Sequence, residues 1–213
     1  MFTDGIIFDV DGTFWDSTDV VKDAWNKALL DTGYGVFDIT ADRLKGLFGL
    51  PMYDILKDLM PEAETSDLDK LSPFVFSYEH EYIDKNPPTP YEGVPEMIKA
   101  LYGRNIPLFV VSNCQAGYIE LFCKKTGLGE YFKGHLCPGD TGLLKADNIR
   151  KIVSEHGLKN PVYVGDTAMD EKACRDADCP FIWAAYGFGR AEAPDGVIEK
   201  PMELVDLVEC VRQ

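Results

Sequence analysis

Residues 5–13 read GIIFDVDGT, so a short apolar run leads directly into two carboxylates, Asp9 and Asp11, with one residue between them. The run does not alternate with polar residues, a pattern typical of a strand buried on both faces of a parallel sheet. Burying a carboxylate costs several kcal/mol unless the group is paired, hydrogen-bonded or bound to a metal ion. The stretch therefore predicts a core strand with a functional site at its end.

The rest of the chain supplies more runs of the same kind, separated by helical patterns. The further strand candidates are PLFVV (107–111), PVYV (161–164), PFIWAA (180–185) and the weaker FKGHLC (132–137). Helical patterns cover 94–103, 115–126, 145–156 and 168–176. The alternation predicts an α/β fold, with a Rossmann-like parallel sheet and helices on both of its faces.

Residues 15–86 interrupt this alternation. The block has helical patterns at 17–32, 40–48, 51–59 and 66–85, and no convincing strand. It closes with NPPTP (86–90), which cannot continue a helix. Because the block is too long for a crossover, we expect an all-helical second domain at 15–86, inserted into a core domain made of residues 1–14 and 87–213.

Composition excludes several classes of protein. The chain has 213 residues, 46% of them hydrophobic, and a net charge of −15, which disfavours nucleic acids and anionic membranes as partners.

No basic-flanked leader and no run of about 18 apolar residues is visible, so we expect a cytoplasmic protein that no membrane anchors. The six cysteines lack C-x-x-C spacing and are predicted to be reduced thiols. The sequence carries no signal for an oligomeric state.

Polar residues follow the predicted strands where each one ends. Ligands of open α/β sheets bind at the carboxyl ends of the strands, so we expect these side chains to form one site with Asp9 and Asp11. They are Ser112 and Asn113 after 107–111, Asp166 and then Asp170 after 161–164, and Lys145 at the start of a helical pattern.

Four motifs resemble, in order, those of the haloacid dehalogenase-like hydrolases. They are DVDGT (9–13), VVSN (110–113), Lys145 and GDTAMD (165–170). The resemblance covers nearly the whole chain, is greatest to the phosphoglycolate-phosphatase-like group, and makes the helical block a cap domain. One position departs from the pattern, because Lys145 is followed by Ala146 where much of the family has proline. Lys133 is therefore the fallback candidate for the lysine.

The resemblance implies a Mg²⁺-dependent phosphatase acting on a small phosphorylated metabolite, similar to phosphoglycolate or a sugar phosphate. It implies that Asp9 attacks phosphorus to form an aspartyl-phosphate, and that Asp11 protonates the leaving oxygen and then activates water. Ser112, Asn113 and Lys145 are expected to bind the transferring phosphoryl group. Mg²⁺ is expected on the side chains of Asp9 and Asp166 and the backbone carbonyl of Asp11, with Asp170 either a ligand or a partner of metal-bound water.

Three alternatives are weighed against a phosphatase. Sugar-phosphate mutases of this superfamily carry a histidine twelve residues after the nucleophile, where this chain has Val21. A calcium-binding loop over 9–20 needs a glutamate at its end, where this chain has Val20. A catalytically retired binding or regulatory relative is expected to have lost a motif, and all four are present.

Charged residues in the helical block are candidates for substrate specificity. Arg43 and Lys45 lie in a segment, 41–52, that Gly46, Gly49 and Pro51 interrupt. The segment is expected to be a loop, and the resemblance places such a loop over the aspartates. There an arginine could hold a carboxylate of the substrate with two hydrogen bonds. Solvated surface charges are an equally good interpretation of both residues.

Overall fold

The computed structural model describes residues 1–35 and 38–210. The strands are β1 (Phe2–Thr3), β2 (Gly5–Phe8), β3 (Leu108–Val111), β4 (Phe132–Leu136), β5 (Pro161–Gly165), β6 (Phe181–Ala184), β7 (Gly196–Ile198) and β8 (Glu209–Cys210). The helices are α1 (Thr18–Asp31), α2 (Ala41–Lys45), α3 (Met52–Leu59), α4 (Thr65–Lys85), α5 (Val94–Gly103), α6 (Tyr118–Thr126), α7 (Pro138–Thr141), α8 (Lys145–His156), α9 (Ala168–Asp176) and α10 (Glu203–Leu207). A 3₁₀ helix covers Gly129–Tyr131.

The main sheet has six parallel strands in the order β4-β3-β2-β5-β6-β7. Strand β2 lies in its middle, and all four of its residues are buried, because a strand flanked by neighbours and covered on both faces needs apolar side chains throughout. The five strands expected from the sequence are all present. Strands β1 and β8 form a separate parallel pair, which joins the two ends of the described chain.

Helices cover both faces of the sheet, as predicted. Ile6 and Phe8 point into the larger core cluster, which includes side chains of α5 and α6. Ile7 lies between them in sequence and points to the opposite face, into a cluster that includes Ile149 of α8 and Cys174 of α9. This alternation follows from the two-residue period of a strand.

Helices α1 to α4 lie between β2 and α5 in the chain, within the predicted all-helical block. Helices α1 and α4 make the most extensive helix–helix contact of the described residues, and Trp25 and Val75 are fully buried on them. The division into a helical domain at 15–86 and a core domain at 1–14 and 87–213 stays a prediction. Residues 36–37 of the first and 211–213 of the second lie outside the described residues. No described helix is long and apolar enough to cross a bilayer.

Some element boundaries differ from those predicted. Helix α6 begins at Tyr118 rather than 115, because Gly117 before it has a left-handed backbone with φ of 85°. Helix α2 ends at Lys45, where the pattern over 40–48 had predicted a longer helix, and the turn that follows begins at Gly46. The elements β1, β7, β8, α7 and α10 were not predicted, since each has five residues or fewer and gives little periodicity to detect.

Candidate active site

Three neighbouring strands bring the first polar residues together. Asp9 follows β2, Ser112 follows β3 and Asp166 follows β5, and β2 pairs with both of the other strands. All three residues are buried. The carboxyl ends of parallel strands meet at one edge of the sheet, so the arrangement expected from the sequence is present.

Asp9 and Asp166 form a buried pair of carboxylates that fits a metal ion. Together with Asp170 they offer oxygens that all lie within 4.8 Å of one another. Oδ1 of Asp9 and Oδ1 of Asp166 are buried and make no hydrogen bond. Burial raises the pKa of Asp9 to about 7 and raises the pKa of Asp166 well above its usual range. A buried cluster of carboxylate oxygens, with few hydrogen-bond donors to satisfy them, suits a hard divalent cation such as Mg²⁺.

Asp170 has other partners for both of its oxygens. Oδ1 lies 2.6 Å from Nζ of Lys145. Oδ2 accepts hydrogen bonds from the backbone N–H (3.0 Å) and the hydroxyl (2.7 Å) of Thr167. The first of these, together with the hydrogen bond from the backbone N–H of Asp170 to Oγ1 of Thr167 (3.2 Å), forms a capping box at the start of α9. This geometry favours contact with a metal through water over direct ligation.

Glycines allow the loop after β2 to approach Asp166. Gly12 has φ of 78°, and a Cβ built on it would lie 2.1 Å from Oδ2 of Asp166. A Cβ on Gly187 would lie 2.4 Å from the carbonyl oxygen of Gly12, and the N–H of Phe188 donates to Oδ2 of Asp166 at 2.7 Å. The segment containing Gly187 and Phe188 was missed from the sequence, where its only signal is the glycine pattern GFG.

Lys145 is the first residue of α8 and supplies a buried positive charge. Its ammonium lies 3.1 Å from Oδ1 of Asp9. Burial opposes the charged form, but the carboxylates of Asp170 and Asp9 outweigh it and raise the pKa of Lys145 above its usual range. The fallback candidate, Lys133, is exposed on β4, so the structure brings Lys145 and not Lys133 to the site.

Asp11 is held by three donors that the sequence did not reveal. Its Oδ1 accepts hydrogen bonds from Nε1 of Trp15 (3.1 Å), the hydroxyl of Ser17 (2.5 Å) and the hydroxyl of Tyr118 (2.7 Å). Burial raises the pKa of Asp11, and these hydrogen bonds work against the rise. A raised pKa favours the protonated carboxyl that a general acid needs. Trp15 also packs edge-on against the ring of Phe122.

A cavity lies between these residues and the helical block. Its core wall includes Asp9, Asp11, Ser112, Asn113 and Lys145. Its opposite wall comes from the turn before α3, from α3 and from α4, and contains Phe48, Gly49, Leu50, Met52, Ile55 and Glu79. The side-chain amide of Asn113 donates to the carbonyl of Gly49 at 2.7 Å and so links the two walls. Little free volume is left between the two walls, about 20 Å³.

Arg43 and Lys45 do not line this cavity. The expectation of a loop at 41–52 was wrong for its first part, because Thr40 caps α2 by accepting a hydrogen bond from the backbone N–H of Arg43. The guanidinium of Arg43 pairs with Asp58, and Nζ of Lys45 lies 2.8 Å from Oδ2 of Asp16. Both charges are therefore matched by aspartates outside the cavity.

Glu79 is the charged residue of the cavity that sequence reasoning missed. Its side chain is buried on α4, where Oε2 accepts a hydrogen bond from Nε1 of Trp25 (2.6 Å) and Oε1 accepts one from Nε2 of Gln115 (2.9 Å). Burial raises its pKa to about 7. A signal was available, since Glu79 occupies the same helical stripe as the buried Val75 and Ile83.

Comparisons with known proteins agree with this geometry. A family model described as haloacid dehalogenase-like hydrolase matches residues 6–184. A phosphoglycolate phosphatase of Photobacterium profundum is 27% identical, over 96% of this chain and 95% of its own length. An N-acetylmuramic acid 6-phosphate phosphatase of Pseudomonas aeruginosa is 24% identical, over 96% of this chain and 94% of its own length. The solved structure of a haloacid dehalogenase-like hydrolase from Streptococcus pneumoniae has the same fold, with a TM-score of 0.81 at 20% identity over 95% of this chain and 97% of that one.

Proposed function

Because the chain belongs to the haloacid dehalogenase-like hydrolase family, we propose that it is a Mg²⁺-dependent phosphatase that hydrolyses a small phosphate monoester through an aspartyl-phosphate on Asp9. Relatives that cover nearly the whole chain are named as phosphatases, and the coarse activity follows from them. The observation that carries the finer proposal is the buried group of Asp9, Asp166 and Lys145, where the ammonium pairs with Oδ1 of Asp9 and Oδ1 of Asp166 has no hydrogen-bond partner.

In the first step, a carboxylate oxygen of Asp9 attacks phosphorus and the bond from phosphorus to the leaving oxygen breaks. The protonated carboxyl of Asp11 gives its proton to that oxygen, which leaves as an alcohol. Lys145 and the hydroxyl of Ser112 stabilise the charge of the transferring group, because both lie on the wall beside Asp9. Asn113 contributes its backbone N–H to the same group.

In the second step, water attacks the phosphorus of the aspartyl-phosphate while Asp11, now a carboxylate, takes a proton from that water. The bond from phosphorus to Asp9 breaks and inorganic phosphate is released. Asp9, the backbone carbonyl of Asp11 and Asp166 would hold Mg²⁺, with Asp170 on a water of the ion. When bound, Mg²⁺ neutralises the repulsion between the carboxylates and the phosphate oxygens.

Two observations support hydrolysis over the alternatives. None of the described residues that line the cavity is a histidine, and Val21, at the position of the mutase histidine, is buried. The described residues of the cavity therefore offer no histidine that could serve as the acid–base group of a mutase. A retired relative is disfavoured, since residues of three motifs line one cavity and Asp166 and Asp170 of the fourth cluster with Asp9. We further propose that residues 15–86 act as the cap of a cytoplasmic enzyme.

The test measures phosphate released from p-nitrophenyl phosphate by purified protein, first treated with a chelator and then supplied with Mg²⁺. We expect no release without the ion and a return of activity when it is added. Release that the chelator does not reduce would contradict the role of Mg²⁺. A lack of release from any monoester, by a folded protein with Mg²⁺ present, would contradict the function itself.

A further inference from the structure

One wall of the cavity, formed by Glu79 of α4 and Gln115 of the loop before α6, presents hydrogen-bond acceptors. Each oxygen of Glu79 accepts one hydrogen bond, from Trp25 or from Gln115, whereas an ionised carboxylate can accept about four in total. The amide oxygen Oε1 of Gln115 is buried and has no partner. Glu79 and Gln115 both line the cavity, so a ligand that reaches this wall meets three acceptor oxygens with capacity left.

Positive charge is absent from the same wall. Among the described residues that line the cavity, Lys145 is the one cation, and it lies against Asp9 and Asp170 on the core side. The two basic residues of α2, Arg43 and Lys45, pair with Asp58 and Asp16 instead. A carboxylate of the substrate at this wall would meet no counter-charge, and an unpaired charge in a buried site is strongly unfavourable.

From this arrangement we propose that Glu79 and Gln115 form a subsite for a hydrogen-bond donor, so that the substrate is a phosphate monoester whose far end carries a hydroxyl or ammonium group rather than a carboxylate. The inference rests on the proposed function and narrows it, because it separates this chain from enzymes selective for phosphoglycolate, whose far end is a carboxylate. Trp25 is a positioning residue in this subsite, since its indole N–H fixes one oxygen of Glu79.

The experiment compares esters that differ only at the far end. Ethyl, propyl and butyl phosphates are used, each with a terminal hydroxyl, a terminal ammonium or no group, together with phosphoglycolate and its longer carboxylate homologues. We expect kcat/KM for the best hydroxyl or ammonium ester to exceed that of the carboxylate of equal length by roughly 10- to 100-fold, the range of a charge-assisted hydrogen bond.

Glu79→Gln tests whether this preference comes from Glu79. The change keeps the size of the side chain and removes its ability to ionise, so the ratio of kcat/KM for the ammonium ester to that for the carboxylate ester should fall by about tenfold or more. Glu81→Gln is the matched control, because Glu81 lies on the same helix but is exposed and pairs with Lys85. Thermal melting of each variant shows that it is folded.

The outcomes separate the two proposals. If the wild-type protein hydrolyses a carboxylate ester best at every length, or if Glu79→Gln scales all esters alike, the subsite is contradicted while the phosphatase stands. If Glu79→Gln proves unfolded, Gln115→Leu provides the same test through the second acceptor, and an unchanged ratio in that variant overturns the proposal. If no ester releases phosphate, the proposed function itself fails.

Discussion

Oδ1 of Asp9 lies 3.1 Å from Nζ of Lys145, and both side chains are buried. The ammonium also lies 2.6 Å from Oδ1 of Asp170, so one positive charge serves two of the three clustered carboxylates. A buried charge of this kind is stable only with its partners. Lys145 is therefore expected to contribute both to the stability of the fold and to the reaction at Asp9.

Replacing Lys145 by methionine removes that charge. We expect kcat/KM for p-nitrophenyl phosphate to fall by roughly 100- to 1,000-fold, the usual loss when a donor to transition-state charge is removed. Melting without metal should also occur at a lower temperature, because Asp9 and Asp170 repel each other. The control is Lys133→Met, an exposed position on β4, which should leave both quantities unchanged. Equal values of kcat/KM for the two variants would contradict a role of Lys145 in the reaction.

Gly12→Ala separates backbone strain from contact with Asp166. A Cβ at Gly12 would lie 2.1 Å from Oδ2 of Asp166, whereas at Gly33, which has a similar φ of 80°, it would meet nothing within 4 Å. Both variants should lose stability through strain. Only Gly12→Ala should raise the Mg²⁺ concentration for half-maximal activity, by about 10- to 100-fold, as disturbed supports of metal ligands do. An unchanged Mg²⁺ requirement in Gly12→Ala would contradict the role of Asp166 as a ligand.

Mg²⁺ should stabilise the folded protein, because an ion that binds only the folded state raises the free energy of unfolding as its concentration grows. The melting temperature of the wild-type protein is expected to rise with added Mg²⁺. Asp166→Asn should abolish this shift, while Asp23→Asn, an exposed position on α1, should keep it. The shift is measured by calorimetry without substrate, so that it does not depend on activity.

The buried Glu79 should make stability depend on pH. Its pKa is about 7 in the folded protein against 4.5 for the free side chain, so the folded state holds this proton more tightly than the unfolded chain. The stabilisation of the folded state that this tighter proton binding provides is full below pH 4.5 and is lost as the pH rises to about 7. Glutamine does not titrate, so the free energy of unfolding of Glu79→Gln should not fall in this way. Relative to wild type it should rise by on the order of 3 kcal/mol between these two pH values. Denaturant unfolding at several pH values measures it, and parallel curves would refute the prediction.

Sequence patterns predicted the elements that carry the core of the site. Helices α8 and α9 match their predicted bounds, 145–156 and 168–176, because both have long amphipathic patterns with clear ends: Gly157 closes α8 and Thr167 caps α9. Strand β2 and its two carboxylates were recognisable because continuous apolar runs rarely end in charge without a reason.

Contacts between distant parts of the chain were not predictable. Tyr118 holds Asp11 from a position 107 residues further along the chain, and no local pattern marks such a partner. For Arg43 and Lys45 the sequence left surface charge and substrate contact equally open, because periodicity does not show which aspartates a cation will meet. Glu79 could have been noticed as a charge in an apolar stripe, but its pairing with Gln115 depends on how α4 packs on the loop before α6.

The central claim is that Asp9 carries the phosphoryl group between the two steps. Its most direct test is a rapid acid quench of the enzyme turning over a ³²P-labelled aryl phosphate with Mg²⁺, followed by mapping of the labelled peptide. The account predicts acid-stable label on the peptide that contains Asp9, and none in Asp9→Asn. Turnover by the wild-type protein with label on another residue, or Asp9→Asn that still releases phosphate at the wild-type rate, would contradict it.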